Sequence, residues 1–294
     1  MSYFAFDVCN SFPGIYNDEV RRIWSIVVAR LATKYDTLLN AILTLSLRHM
    51  LCTGHEEVAP TERLQVLHGQ YLEATLEEFK TAVGTLTPAI ADAASFTSVL
   101  LSMDALASLC DRDLTQYTAP VQWLHLCKGV TQVFSVGLKL LRGNPDALIY
   151  KVVETSGSFI QHVNFMPASQ FPALFTRRPD ESDEDDAAYV ETAGYVGAIR
   201  SAQLSGEPMN VTIRRFIVYP LVFPPRFVKL LGEHQPRALV ILAHYFALAV
   251  SCEKTAWVGD APRKEILAMA EFLPSERLRG FAWPLSVVRG PAST

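Results

Sequence analysis

EVRRIWSIVVARLATKYDTLLNAILTLSLRHM, residues 19–50, decides the fold class. Ile23, Val27, Leu31 and Tyr35 recur at four-residue steps, the spacing that gathers side chains on one face of an α-helix. From Asp36 the period restarts with Leu38, Leu39, Ile42, Leu45 and Leu47, apolar nearly all round as a buried helix requires. Outward from this stretch the period stays helical. Thr61 to Val83 reads as an amphipathic helix with Leu64, Leu67, His68, Tyr71, Thr75, Leu76 and Phe79 on its inner face. Asp92 to Cys110 carries Phe96, Val99, Leu100, Met103 and Leu106 at the same spacing. Pro120, Pro236, Pro262 and Pro274 stand at expected helix starts, where a missing N–H costs nothing.

Three stretches read differently. Tyr150 to Asp186 is irregular, with Pro167, Pro172 and Pro179, and closes on the acidic run DESDEDD, residues 180–186. That run reads as a solvated loop, or as negative charge placed before the helix expected over Ala187–Leu204. Ile213–Val222 is the one strand candidate. The expected architecture is all-α: one irregular multi-helix domain over 1–294, with about ten helices around an apolar core.

The chain is 294 residues long, 50% hydrophobic and 19% charged, with a formal net charge of −4. That is enough apolar material for one large core, or two fused lobes, near the upper size for single cores of ~250–300 residues. Arg and Lys are scattered and form no stripe that would neutralise phosphates, so direct nucleic-acid binding is not expected. Cys9, Cys52, Cys110, Cys127 and Cys252 include no C-x-x-C pair, which argues against a cysteine metal site and a disulfide framework. The N-terminus lacks a secretory pattern, and no segment approaches ~20 uninterrupted apolar residues. The expected setting is intracellular, cytoplasmic or nuclear, away from membranes.

No nucleophile elbow, phosphate loop, dinucleotide fingerprint or H-E-x-x-H is present, and no cofactor or metal is expected. His55-Glu56-Glu57 has no metal-binding partner near it in sequence. His244 and Tyr245 lie in the apolar helix ALVILAHYFALAV. They read either as core residues with one hydrogen bond each or as polar groups facing a ligand. Trp123, His125, Trp257 and Trp283 invite the same two readings. Asp104 sits in the apolar stretch SFTSVLLSMDALASL, where a carboxylate is costly unless paired or protonated, or else marks a rim position.

Several segments together resemble the effector domain of fungal zinc-cluster transcription factors of the sterol-uptake-regulator type, over roughly residues 15 to 287. They are Trp24 with LATKYDTLLNAILTLSLRHM ending near His49, HGQYLEATLEEFKTAV, and PVQWLHLCKGVTQVF with Trp123 and Gly129. The most specific is PRALVILAHYFALA followed by Trp257, Gly259 and AWPL. The resemblance implies an α-helical domain with a lipophilic pocket among its C-terminal helices, involving Leu239, Leu242, Tyr245, Phe246, Trp257 and Trp283. It implies a small lipophilic metabolite as partner. The chain departs from the family in having no six-cysteine cluster, so it is expected to lack a DNA-binding module of its own, and a homodimer is one expected assembly. The segment after Gly259 is polar (Asp260, Arg263, Lys264), a departure from the sterol-sensing pattern. A second expectation stands beside the regulatory one. The same pocket would serve a cofactor-free enzyme of fungal secondary metabolism, a cyclase, isomerase or dehydratase, with His244, Tyr245, Asp104 and His125 as acid–base candidates.

Overall fold

Helices dominate the described residues of the computed structural model, which are 1–13, 15, 17–55, 57–153 and 170–290. No strand occurs among the described residues. Glu56 and Pro167, singled out above, lie outside them. The principal helices are α1 (Asp36–Thr53), α2 (Thr61–Gly84), α3 (Ala91–Ala107), α4 (Val121–Leu140), α5 (Asp183–Leu204), α6 (Met209–Val222), α7 (Pro225–Gly232), α8 (Pro236–Ala249), α9 (Ala261–Phe272) and α10 (Ala282–Arg289). Two compact units divide the chain, one from residues 1–108 and 126–158, the other from 109–125 and 159–294.

In the first unit α1 packs along both α2 and α3. Leu38, Ile42, Leu45, Phe96, Leu100 and Met103 are fully buried between them. Trp24 lies edge-on to Phe96 at 5.2 Å, on a π-helical turn, Ile23–Val28. One carboxylate of this core gathers a polar partner from each of the other two helices. Arg48 Nε of α1 donates to Asp104 Oδ1 of α3 at 3.3 Å, and His68 Nε2 of α2 lies 2.7 Å from the same oxygen. Asp92, at the start of α3, accepts the backbone N–H groups of Leu148 and Ile149 at 3.0–3.1 Å.

Ala91–Asp111 is long and apolar enough to cross a membrane by length and composition, which counting uninterrupted apolar runs did not reveal. Most of that stretch is buried, the pattern also shown by core helices.

The second unit is organised on α8, which packs against α5, α9 and α10. Every residue from Arg237 to Ala249 is buried. Two expectations are corrected here. The acidic run is not wholly a loop: Asp183, Glu184, Asp185 and Asp186 form the first turn of α5. Ser182 caps that turn by accepting Asp185 N–H at 3.1 Å, and carboxylates there meet the positive end of the helix dipole. The strand candidate is the helix α6, with Pro220 inside it. A β-rich composition loses to the spacing of Ile213, Phe216 and Pro220, which buries one helical face.

Candidate functional site

The residues expected around a C-terminal pocket are mostly buried. Leu239 and Leu242 are fully buried in α8, with Phe246 beside them and Trp257 completely enclosed beyond the helix. The Tyr245 ring meets Trp123, Phe216 and Phe223 with centroids 5.4–6.3 Å apart. Its hydroxyl has a backbone task. Pro220 has no N–H to offer the carbonyl four residues back, that of Phe216. Tyr245 donates its O–H to that carbonyl at 2.5 Å. A carbonyl that would otherwise be buried without a partner is thereby satisfied.

His244 Nδ1 lies 2.8 Å from the carbonyl of Val240 and must carry the proton it donates there. Nε2 is then the lone-pair nitrogen of a neutral ring. Burial pushes the imidazole down to about 4, the Val240 bond pulling weakly the other way. Trp283 stacks on it at 5.4 Å and Phe171 meets it edge-on at 4.8 Å. The Arg200 guanidinium lies 5.3 Å over Trp283, a cation–π contact. His125 is exposed on α4. Asp104 belongs to the first unit and is committed to Arg48 and His68. His244, Tyr245 and Trp283 are thus neighbours within one unit, while Asp104 has its own partners.

A cavity of about 340 Å³ lies elsewhere in the second unit, lined by Leu114, Thr115, Gln116, Tyr117, Ala268, Glu271 and Phe272. Tyr117 comes from the segment before α4, Ala268 and Phe272 from α9. The ring of Tyr117 lies 5.6 Å from Phe272 and 6.4 Å from His234, and His234 lies 5.0 Å from Phe272. His234 has φ 53°, left-handed backbone just beyond α7, where glycine is the least costly residue.

Glu265 stands behind this wall on the inner face of α9 with 0% exposure. Arg112 binds its Oε1 and also donates to the Thr118 carbonyl at 2.5 Å. Burial lifts the Glu265 carboxyl to about 7, against the lowering pull of Arg112. The Tyr117 hydroxyl is raised far above its ordinary value, first by burial and then by the Glu265 charge. Tyr117 and Glu265 also act on one another as side-chain hydrogen-bonding neighbours. The Tyr245 hydroxyl and His244 Nδ1 are likewise engaged.

A second cavity, of about 300 Å³, is bordered by Arg178, Arg226 and Arg237 together with Asp180, Glu181, Asp185 and Glu233. Arg226 and Arg237 are engaged by its carboxylates. Arg237 bonds Glu181 at 2.5 Å, Asp186 at 2.8 Å and the Leu174 carbonyl at 3.0 Å, and its guanidinium lies 4.7 Å over Tyr189. Arg226 pairs with Asp185 at 2.5 Å. The arrangement ties the first turn of α5 to α7 and α8. Among the described residues no group of three or more His, Cys, Asp and Glu side chains is placed to hold a metal ion.

The chain aligns with the Zn(2)-C6 fungal-type transcription factor afumD of Aspergillus fumigatus at 29% identity, over 84% of this chain and 65% of that protein. It aligns with a Zn(2)-C6 fungal-type transcription factor of Gibberella zeae at 24% identity, over 90% of this chain and 56% of that protein. No family model matches. The alignments relate the chain to fungal Zn(2)-C6 transcription factors at modest identity over most of its length. The chain spans less than two thirds of the length of either relative.

Proposed function

We propose that this chain is a ligand-responsive regulatory part of a fungal transcription-factor-type protein, acting in the cytoplasm or nucleus. Its second unit takes up a small, largely apolar molecule, and DNA contact is left to other residues or to a partner. The observation that carries the reading is the cavity lined by Leu114, Tyr117, Ala268 and Phe272 in a chain related to transcription factors. Its volume of about 340 Å³ falls in the usual range of small-molecule sites, and its apolar rings with a few polar groups suit such a ligand. The net charge of −4 and the scattered Arg and Lys fit a role other than phosphate binding.

The test is retention of a compound from a lipophilic fungal extract, read by mass spectrometry on the purified chain. Leu114→Trp should fill the cavity mouth and abolish retention, with circular dichroism confirming the fold. Retention unaffected by Leu114→Trp, or none by the wild type, would defeat the reading.

One observation favours a second reading, a cofactor-free enzyme. A carboxyl near 7, as at Glu265, is matched to general acid–base work at neutral pH, and Tyr117 faces it. Consumption of the retained compound, giving a product of equal mass or one water less, would select cyclisation, isomerisation or dehydration over sensing.

A further inference from the structure

The polar cavity at the first turn of α5, within the second unit, holds groups that the fold leaves unmatched. Tyr189 of α5 is 2% exposed, its ring held between the Arg237 guanidinium at 4.7 Å and the Phe227 ring at 6.5 Å. It lines the cavity, and its hydroxyl makes no hydrogen bond among the described residues. Burial, then the Glu181 and Asp185 charges, push this phenol up to about 12, so it stays a donor at neutral pH. A donor enclosed this deeply beside a cavity is placed for an acceptor from outside the chain. Two charges of the lining are left over as well. Arg226 and Arg237 are taken by Asp185 and Glu181, and Glu233 lies 3.9 Å from Lys229. The guanidinium of half-buried Arg178 and the carboxylate of exposed Asp180 enter no ion pair among the described residues.

We propose that this cavity is a binding site for a free α-amino acid, its carboxylate on Arg178 and Tyr189 and its ammonium on Asp180. The site is separate from the cavity beside Tyr117 and does not depend on the reading made of that one. The unmatched groups select the ligand. Arg178 offers a fork of N–H donors that fits a carboxylate, and the Tyr189 O–H adds a further donor. A plain carboxylate would use both but leave Asp180 unmatched. It would also enter a lining whose described residues carry four carboxylates against three guanidiniums. A phosphate would bring still more negative charge against the same excess. An amine would serve Asp180 and leave Arg178 and Tyr189 idle. A zwitterion answers both signs and adds no net charge. The volume of about 300 Å³ is at the small end of ligand sites, and Leu230 and Pro236 are the apolar members of an otherwise polar lining, so a small polar molecule suits it.

The experiment titrates the full chain with each standard amino acid by isothermal calorimetry. The tightest binder is then compared with its 2-hydroxy acid, which lacks the ammonium, and with its decarboxylated amine. The amino acid should bind roughly tenfold more tightly than either analogue, the worth of one charge-assisted contact. Arg178→Gln should weaken the amino acid and the hydroxy acid by roughly tenfold and leave the amine unchanged. Asp180→Asn should weaken the amino acid and the amine and spare the hydroxy acid. Tyr189→Phe keeps the ring and should cost roughly fivefold in amino-acid affinity. Thermal melts check that each variant folds, and the Arg178 and Asp180 variants decide the matter if the buried Tyr189 does not tolerate change. No amino acid bound by the folded wild type would overturn the proposal. So would an analogue that binds as tightly as the amino acid, or an affinity that survives both Arg178→Gln and Asp180→Asn.

Discussion

Asp104 and Glu265 are both buried carboxylates on the inner faces of helices, 4% and 0% exposed, one in each unit. Asp104 receives Arg48 from α1 and His68 from α2, so three helices meet on one anion. Glu265 receives Arg112 on one oxygen and leaves the other to the neutral Tyr117. Burial alone therefore does not separate a structural acid from a functional one. The number of partners supplied by the fold does, because removing a fully served charge breaks a network and removing a half-served one relieves a cost.

The largest expected effect tests the served member. Asp104→Ala takes the carboxylate from Arg48 and should cost about 3–5 kcal/mol in urea unfolding. A cost under about 1 kcal/mol would remove the distinction between the two acids. The next effect concerns His244, whose imidazole is held down at about 4. A depressed folded-state value gives stability that is present above pH 6.5 and is lost as pH falls through 4. Thermal melts from pH 7 to pH 4 should show a loss of about 3 kcal/mol that is absent in His244→Phe. Third is Gly259, with φ 51°, where an added Cβ would lie 2.8 Å from Cys110 Sγ. Gly259→Ala should cost roughly 2 kcal/mol through left-handed strain and contact, read as a lower melting temperature.

Tyr245→Phe should cost about 1 kcal/mol, the Phe216 carbonyl losing its donor. An unchanged melting temperature would show that this bond contributes nothing to stability. The smallest stability effect is Glu265→Gln, within about 1 kcal/mol at pH 8. Its sign opposes that of His244. A raised folded-state carboxyl gives stability that is present below pH 4.5 and is lost as pH rises through about 7. Wild type should therefore lose stability relative to Glu265→Gln between pH 5 and 8. A parallel pH profile for the two proteins would show that Glu265 is fully served after all.

How much of this was legible depended on what each residue's neighbours in sequence could say. The all-α class follows from the period of residues 19–50 and of α8, whose apolar content also announced that His244 and Tyr245 are inside. Which of their polar atoms are free was not legible, because the partner of Tyr245 lies on α6, beside a proline distant in sequence. Asp104 could be flagged because its helix is apolar. Glu265 follows Arg263 and Lys264 and so resembles a solvated residue, although Pro262, Ile266 and Met269 share its buried face. That register was the available signal. Tyr117 and His234 lie between helices, where no period places a side chain. The spacing of Ser182 and Asp185 is a capping pattern, and it marked the true start of α5 inside the acidic run.

The bond between Tyr245 and the Phe216 carbonyl also constrains how this sequence can change over time. Pro220 creates the need that the Tyr245 hydroxyl meets, so the two positions are not free to drift independently. A lineage that loses the hydroxyl first carries a frustrated carbonyl until the proline goes, whereas one that loses the proline first makes the hydroxyl dispensable. The second order is the passable one, and among descendants of this chain a phenylalanine at position 245 should be found together with a residue other than proline at position 220.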